Sequence, residues 1–315
     1  MINPDWIAVD WGTSQLRVWG MSADNQVLAK ADSDRGMSKL TSKQYESTLL
    51  DLIEGWLVDG ETIPVLVCGM AGSREGWRQA DYMPTPVKLP QQLSLVQVKT
   101  ADPRIAVQIV PGIMQEQPAD VMRGEETQMS GFLSENPDFS GILVLPGTHT
   151  KWVELEQGTL KRFSTVMTGE LFATISHHSI IRFAVEGGEL SLDAFDETFN
   201  TALKHPGGFS ERLFSLRANT LLNNQPADTS FSSLSAELIA LEINAAEHRF
   251  APLQEKQLLI IGNDHLAELY QHALKLCGYK ATSSSGEDLV LAGLHSVYQQ
   301  VYQQMHSCET EEALS

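Results

Sequence analysis

The sequence predicts an α/β chain made of two related halves, each opening on three short strands and continuing into helices and further strands. Three observations predict it. The stretch WIAVDWGTSQLRVWGM (6–21), with VLAK (27–30) after it, reads as an antiparallel meander. GILVL (141–145), KWVELE (151–156) and TLKRFSTV (159–166) repeat that layout in the second half. The fully apolar run VLVC (65–68) after a helical pattern reads as a strand of the kind buried in a parallel sheet, and LLII (258–261) reads as a later strand.

In the first half, Trp6 to Asp10 and Leu16 to Met21 are partners, and SADNQ (22–26) turns the chain into the third strand. Tyr45, Leu49, Ile53 and Trp56 recur at helical spacing, so a helix is expected over about 43–58. The Pro-rich segment 82–90 reads as irregular, and 105–110 as a strand. At 111–121 prolines and polar residues precede a new helix from about Gly124, which places a boundary between domains 1–118 and 119–315. Helices are expected over about 169–183, 193–204, 209–222, 231–249, 265–277 and 288–304. Thr282 to Gly286 reads as a loop, and 307–315 as a frayed tail.

Composition narrows the function. Of 315 residues, 42% are hydrophobic and 20% charged, which describes a globular chain with a core. The formal net charge of −18 argues against nucleic acid or an anionic membrane as partner, since both select clustered Lys and Arg. Cys68, Cys277 and Cys308 have neither disulfide-framework nor metal-site spacing. MINPDWIAVDWG lacks the basic start and apolar run of a signal peptide, and no apolar run approaches membrane-spanning length, so a cytoplasmic protein is expected.

The two opening turns carry the chemistry. Asp10 ends a strand, Gly12 lets backbone approach a ligand closely, and Thr13 and Ser14 offer hydroxyls. Gly147, Thr148 and Thr150 repeat the pattern, His149 lies inside the turn, and Lys151 adds a cation. Turn N–H groups, hydroxyls and one carboxylate are what a nucleotide's phosphates and their Mg²⁺ require, with Asp10 as the metal's carboxylate. Trp11, Trp77 and Trp152 beside these motifs read as packing, and His177-His178 as no ligand pair, because helix neighbours do not share a face.

This layout resembles the actin, hexokinase and Hsp70 ATPase superfamily. The resemblance implies two RNase H-like (actin-like ATPase) domains, each a mixed sheet with flanking helices, and ATP in the interdomain cleft. A Gly-rich turn after a late strand, beside the adenosine in that superfamily, is matched by Gly262-Asn263. More closely, AVDWGTSQLRVW (8–19), CGMAGSREGW (68–77), PADVMRGEETQ (118–128), LPGTHTKW (145–152) and MTGELF (167–172), in this order, resemble the 2-dehydro-3-deoxygalactonokinase family over about 5–300. That implies transfer of phosphate from MgATP to the 6-hydroxyl of 2-dehydro-3-deoxy-D-galactonate in galactonate breakdown.

The resemblance also implies site residues. Related sugar kinases carry their base as the Asp of a Gly-Asp-Gln opening the helix before the second phosphate strand; here Gly124-Glu125-Glu126 stands in that order. A similar Glu-Glu pair marks the exopolyphosphatase branch. Glu125 ranks first as catalytic base, then Glu126, then Asp120; the carboxylates also suit a helix N-terminus without any catalytic role. For the acid's carboxylate, Arg74 in the loop Met70, Gly72, Ser73, Arg74 leads, with Arg17, Arg35 beside Gly36, and Arg123 as rivals. Arg17 alternates with Leu16 and Val18 and could instead pair with an acid inside its domain, and Thr168, Gly169 and Glu170 complete the substrate side.

Two other readings share the fold: a phosphoanhydride hydrolase, for which this acidic chain offers no evident basic channel, and a non-catalytic sugar-sensing or filament-forming member. A DNA-binding regulator would want a basic extension before Asp5. The partner expected is a small sugar acid, and a homodimer is compatible with the sequence.

Overall fold

The computed structural model describes residues 2–89 and 94–312, with side chains to 301. By contact the chain forms two units: unit 1 is Met1–Phe139, Glu156–Arg162 and Gly286–Ser315, and unit 2 is Ser140–Leu155 and Phe163–Ser285.

Unit 1 begins with the expected meander, β1 (Trp6–Trp11), β2 (Leu16–Met21) and β3 (Val27–Ser33). Helix α1 (Tyr45–Ile53) and a 3₁₀ turn (Glu54–Trp56) precede β4 (Ile63–Gly69). The segment expected to be irregular holds β5 (Met83–Pro84) and β6 (Val87–Lys88); its residue 90 lies outside the described residues. Then come β7 (Val96–Gln97), β8 (Ile105–Ile109), β9 (Ile113–Gln115), β10 (Asp120–Met122) and helix α2 (Glu125–Glu135).

The main sheet has the order β3-β2-β1-β4-β8-β7, with β1, β4 and β8 mutually parallel. Period-two alternation in β1 sends Ile7, Val9 and Trp11 to the face covered by Tyr45, Leu49 and Ile53 of α1. Trp6 and Ala8 go to the other face, which Val290, Leu294 and Val297 cover. A second sheet runs β10-β9-β5, and β6 pairs antiparallel with Thr159 and Leu160.

Unit 2 contains β11 (Gly141–Leu145), β12 (Thr150–Glu156, whose last residue belongs to unit 1) and β13 (Thr159–Val166, which enters unit 2 at Phe163). Helices α3 (Thr168–His178), α4 (Arg182–Val185), α5 (Leu192–Lys204), α6 (Phe209–Asn223) and α7 (Ala227–Arg249) follow. Then come β14 (Leu258–Gly262), α8 (Asp264–Leu276) and β15 (Ala281–Ser285), and the chain returns to unit 1 as α9 (Gly286–Glu312). Strand order in unit 2 is β15-β14-β11-β12-β13. The core joins Ile142, Val144 and Trp152 of the sheet to Phe195, Phe199, Ile239, Ile243 and Tyr270 of the helices.

Three expectations are corrected here. Thr282 to Ser285 are not a loop but lie in β15, because each residue from Ala281 to Ser285 pairs in parallel with β14, and Gly286 opens α9. The serines of β15 carry weak strand preference, and the ladder overrides it. The helix expected over 169–183 breaks at Ser179 into α3 and α4. The tail is helical to Glu312, and 313–315 lie outside the described residues.

By contact α2 falls in unit 1 together with α9. The reason is close packing between these two helices. A Cβ on Gly131 would come 2.8 Å from the Gly293 amide nitrogen, and one on Gly293 2.8 Å from the Thr127 carbonyl carbon. Helical periodicity marks which face is buried but not which sheet receives it.

Candidate active site

The first turn is a tight loop. The Gly12 amide donates to the Gln15 carbonyl at 2.8 Å, and the Met37 and Ser38 amides donate to the Gly12 and Thr13 carbonyls at 3.0 Å. Thr13 and Ser14 are exposed, whereas Gly36 packs beneath them. A Cβ on Gly36 would lie 2.5 Å from the Thr13 carbonyl oxygen, so only glycine fits there. Arg35 is directed to the surface, pairing with Asp51 at 3.0 Å, while its carbonyl accepts the Trp11 indole N–H at 3.2 Å.

Asp10 stands opposite Arg17 on β2 and beside Cys68 on β4. Arg17 Nη1 lies 3.6 Å from Asp10 Oδ2, and Cys68 Sγ 3.8 Å from Oδ1. Arg17 therefore does pair with an acid of its own unit. Burial pushes the Asp10 carboxyl above its ordinary value, opposed by Arg17 and reinforced by the charges of Glu287 and Glu125. Gly69 closes this corner with φ of +82°, and a Cβ there would sit 2.6 Å from the Trp11 carbonyl oxygen.

The carboxylate pair sits at the start of α2. Gly124 has φ of +107°, which turns the chain from β10 into the helix. Glu126 is fully buried; its Oε2 accepts the Gly124 amide at 2.7 Å, and Thr127 Oγ1 lies 3.3 Å from Oε1. Burial, with the Glu125 charge second, pushes its carboxyl up to about 8, against backbone hydrogen bonds and Arg123. Glu125 is half-buried, and its Oε2 accepts the Arg123 amide at 3.2 Å. Asp120 lies back in β10, where its Oδ1 accepts the Val121 amide at 2.8 Å.

The loop after β4 also belongs to unit 1. Met70–Gly72 is a 3₁₀ turn, and the buried Ser73 donates its hydroxyl to Met37 Sδ at 3.2 Å. Arg74 is exposed and enters no ion pair among the described residues. Arg123 lies over Gly72 and against the Tyr82 ring at 4.5 Å, donating from Nη2 to the Ala80 carbonyl at 2.7 Å. Its buried Nε and Nη1 have no hydrogen-bond partner among the described residues.

In unit 2 the second turn joins β11 to β12. Thr148 and His149 are exposed, and the Thr148 carbonyl accepts the Glu170 amide at 2.9 Å. A Cβ on Gly169 would fall 2.8 Å from Thr148 Cα, so the start of α3 seats directly on the turn. His149 Nε2 pairs with the Glu170 carboxylate. Gly262 faces Pro146 from the other side, and Asn263 caps α8, its Oδ1 accepting the Leu266 amide at 3.0 Å.

Three of the expected ligand groups make contacts within the protein. Thr150 is buried, with Oγ1 3.1 Å from the Tyr270 hydroxyl. Thr168 is buried and donates to Glu242. Lys151, 6% exposed, donates from Nζ to the His149 carbonyl at 3.0 Å. Glu242, Tyr270 and Gly69 join these turns without a motif to mark them. The available signal was an acid inside the apolar run LSAELIALEIN (234–244), whose helical neighbours Leu238, Ile239 and Ala246 are buried.

The family model for 2-keto-3-deoxy-galactonokinase matches residues 10–297. The chain belongs to the 2-keto-3-deoxy-galactonokinase family. A Rhizobium meliloti (strain 1021) relative, named "Probable 2-dehydro-3-deoxygalactonokinase DgoK1", is 34% identical over 94% of this chain and 97% of its own. The 2-dehydro-3-deoxygalactonokinase of Escherichia coli (strain K12) is 32% identical over 93% and 97%. A solved Sinorhizobium meliloti structure bearing that enzyme name superposes with a TM-score of 0.86 at 34% identity, covering 94% of this chain and 97% of the other. A reductive activator for a corrinoid, iron-sulfur protein is 14% identical with a TM-score of 0.51, covering 98% of this chain and 62% of that one; it shares the fold alone.

This galactonokinase-family chain is thus a phosphotransferase family member of actin-like ATPase fold. No helix among the described residues is long and apolar enough to cross a membrane.

Proposed function

We propose that the chain phosphorylates 2-dehydro-3-deoxy-D-galactonate on its 6-hydroxyl with ATP, in the cytoplasm, as a step of galactonate catabolism. The family and the names of its relatives support the substrate class. The observation that carries the chemistry is the asymmetry of the two adjacent carboxylates: Glu126 is sealed in protein, while Glu125 is half-buried at the helix start.

In this reading Glu125 accepts the proton of the 6-hydroxyl. Glu126 holds the helix opening in place through the Gly124 amide rather than meeting substrate. In unit 1 the exposed hydroxyls of Thr13 and Ser14 with the amides around Gly12, and in unit 2 the Thr148 hydroxyl with the amides around Gly147, are each donors of the kind that phosphate oxygens need where negative charge develops. The exposed Arg74 is the donor for the sugar acid's carboxylate, and Arg123, packed over Gly72 with Nε and Nη1 buried, is its rival only if its side chain reorients.

Mg²⁺ fits Asp10, a carboxylate aligned by Arg17 and crowded by the charges of Glu125 and Glu287. Mg²⁺ usually keeps water and substrate phosphate oxygens beside one or two carboxylates, so a single carboxylate such as Asp10 would suffice from the protein. When bound, the ion neutralises charge on the phosphates.

The test is a coupled ADP-release assay across 2-keto-3-deoxy sugar acids. ADP formation that depends on 2-dehydro-3-deoxy-D-galactonate supports the reading. Phosphate release at the same rate without any acid would favour a hydrolase instead.

A further inference from the structure

Unit 2 has a buried carboxylate of its own, Glu242. Glu242 lies in the middle of α7 and is 1% exposed. An isolated buried carboxylate is unfavourable, and an apolar residue would fill that core position without the penalty. Here donors surround it. Trp152 Nε1 donates to Oε1 at 2.8 Å, Tyr270 OH donates to Oε2 at 2.8 Å, and Thr168 Oγ1 donates to Oε2. Thr150 Oγ1 joins the same network through Tyr270 at 3.1 Å.

What matters is where these donors come from. Thr150 is the residue at which the chain leaves the Gly147 turn, and Trp152 follows it on β12. Thr168 is the first residue of α3, whose next two residues seat on Gly147 and Thr148. Tyr270 sits on α8, which opens just after Gly262, the residue facing Pro146 at the turn's entrance. One side chain therefore holds the exit strand and both helices that frame the turn.

We infer that Glu242 is a positioning residue for ATP binding, setting the Gly147–His149 turn through Thr150, Trp152, Thr168 and Tyr270. The inference rests on the kinase reading and deepens it by assigning unit 2 an internal anchor. Chemistry separates its variants. In Glu242→Gln the amide oxygen can accept from Trp152 while the NH₂ donates to the hydroxyls of Thr168 and Tyr270, both of which can also accept. In Glu242→Ala those donors are left unsatisfied in a buried cavity.

The test is steady-state kinetics with ATP varied at saturating sugar acid, alongside melting curves. Glu242→Ala is expected to raise KM for ATP about tenfold with kcat reduced less than about threefold, the pattern of lost binding order rather than lost chemistry. Glu242→Gln is expected to stay within about threefold of the unsubstituted KM. A folded Glu242→Ala protein with unchanged KM for ATP overturns the inference, as does equal loss in both variants. If Glu242→Ala does not fold, Thr168→Val serves: KM for ATP should rise about threefold, and an unchanged value overturns the inference. Absence of turnover in the unsubstituted protein would count against the kinase reading alone. Calorimetric titration of ATP into the same variants would then still decide the role of Glu242.

Discussion

Glu126 Oε2 accepts the Gly124 amide at 2.7 Å, so the second residue of α2 anchors the glycine that opens the helix. Its neighbour Glu125 is left half-buried one residue earlier. Two identical side chains, adjacent in sequence, thereby acquire different surroundings and different work.

The first prediction concerns Glu126. Its folded value of about 8 exceeds the ordinary 4.5, so between these values the native state holds a proton that the unfolded chain has released. Stability from this group is complete below about 4.5 and is lost as pH rises towards about 8, by up to about 1.4 kcal/mol per pH unit. Glu126→Gln keeps an oxygen for the Gly124 amide and does not titrate. Melting curves should show the variant gaining several degrees on the unsubstituted protein between about pH 5 and about pH 8. A constant difference across that range contradicts the assignment.

The glycines of the second turn should separate folding from binding. Gly169→Ala forces a methyl group onto the backbone of Thr148 and should destabilise by about 1–3 kcal/mol. Gly147 has nothing within 4 Å of its would-be Cβ, so Gly147→Ala should leave the melting temperature nearly unchanged. It should still raise KM for ATP, because the methyl group stands where phosphate must approach the backbone. Equal effects of both substitutions on melting would show that packing alone selects glycine at 147.

Much of this was legible beforehand, for identifiable reasons. The meanders and the buried strands carry periodicities that survive in any context, and the Gly-Thr turns stand between them. The inward rotation of Thr150, Thr168 and Lys151 was not legible. A threonine offers the same hydroxyl to phosphate or to a buried acid, and Glu242 lies far from all three in sequence. The placement of α2 with α9 depends on the Gly131–Gly293 approach, across more than half the chain. Nor does the sequence announce that Arg35 pairs with Asp51 on α1.

Asp10 leads to a prediction about the metal. Asp10→Asn removes the charge opposite Arg17 while keeping the shape. At saturating ATP, the Mg²⁺ concentration giving half-maximal rate should rise at least about fivefold, with kcat reduced, since a carboxylate oxygen is the harder ligand. An unchanged Mg²⁺ requirement would remove Asp10 from the metal's surroundings.

The most direct measurement is the rate of ADP formation with 2-dehydro-3-deoxy-D-galactonate for the unsubstituted protein and for Glu125→Gln. The account predicts that the variant binds ATP and the acid normally while kcat falls about 10²–10⁴-fold, the contribution of a positioned base. A Glu125→Gln protein that turns over at the unsubstituted rate would contradict it.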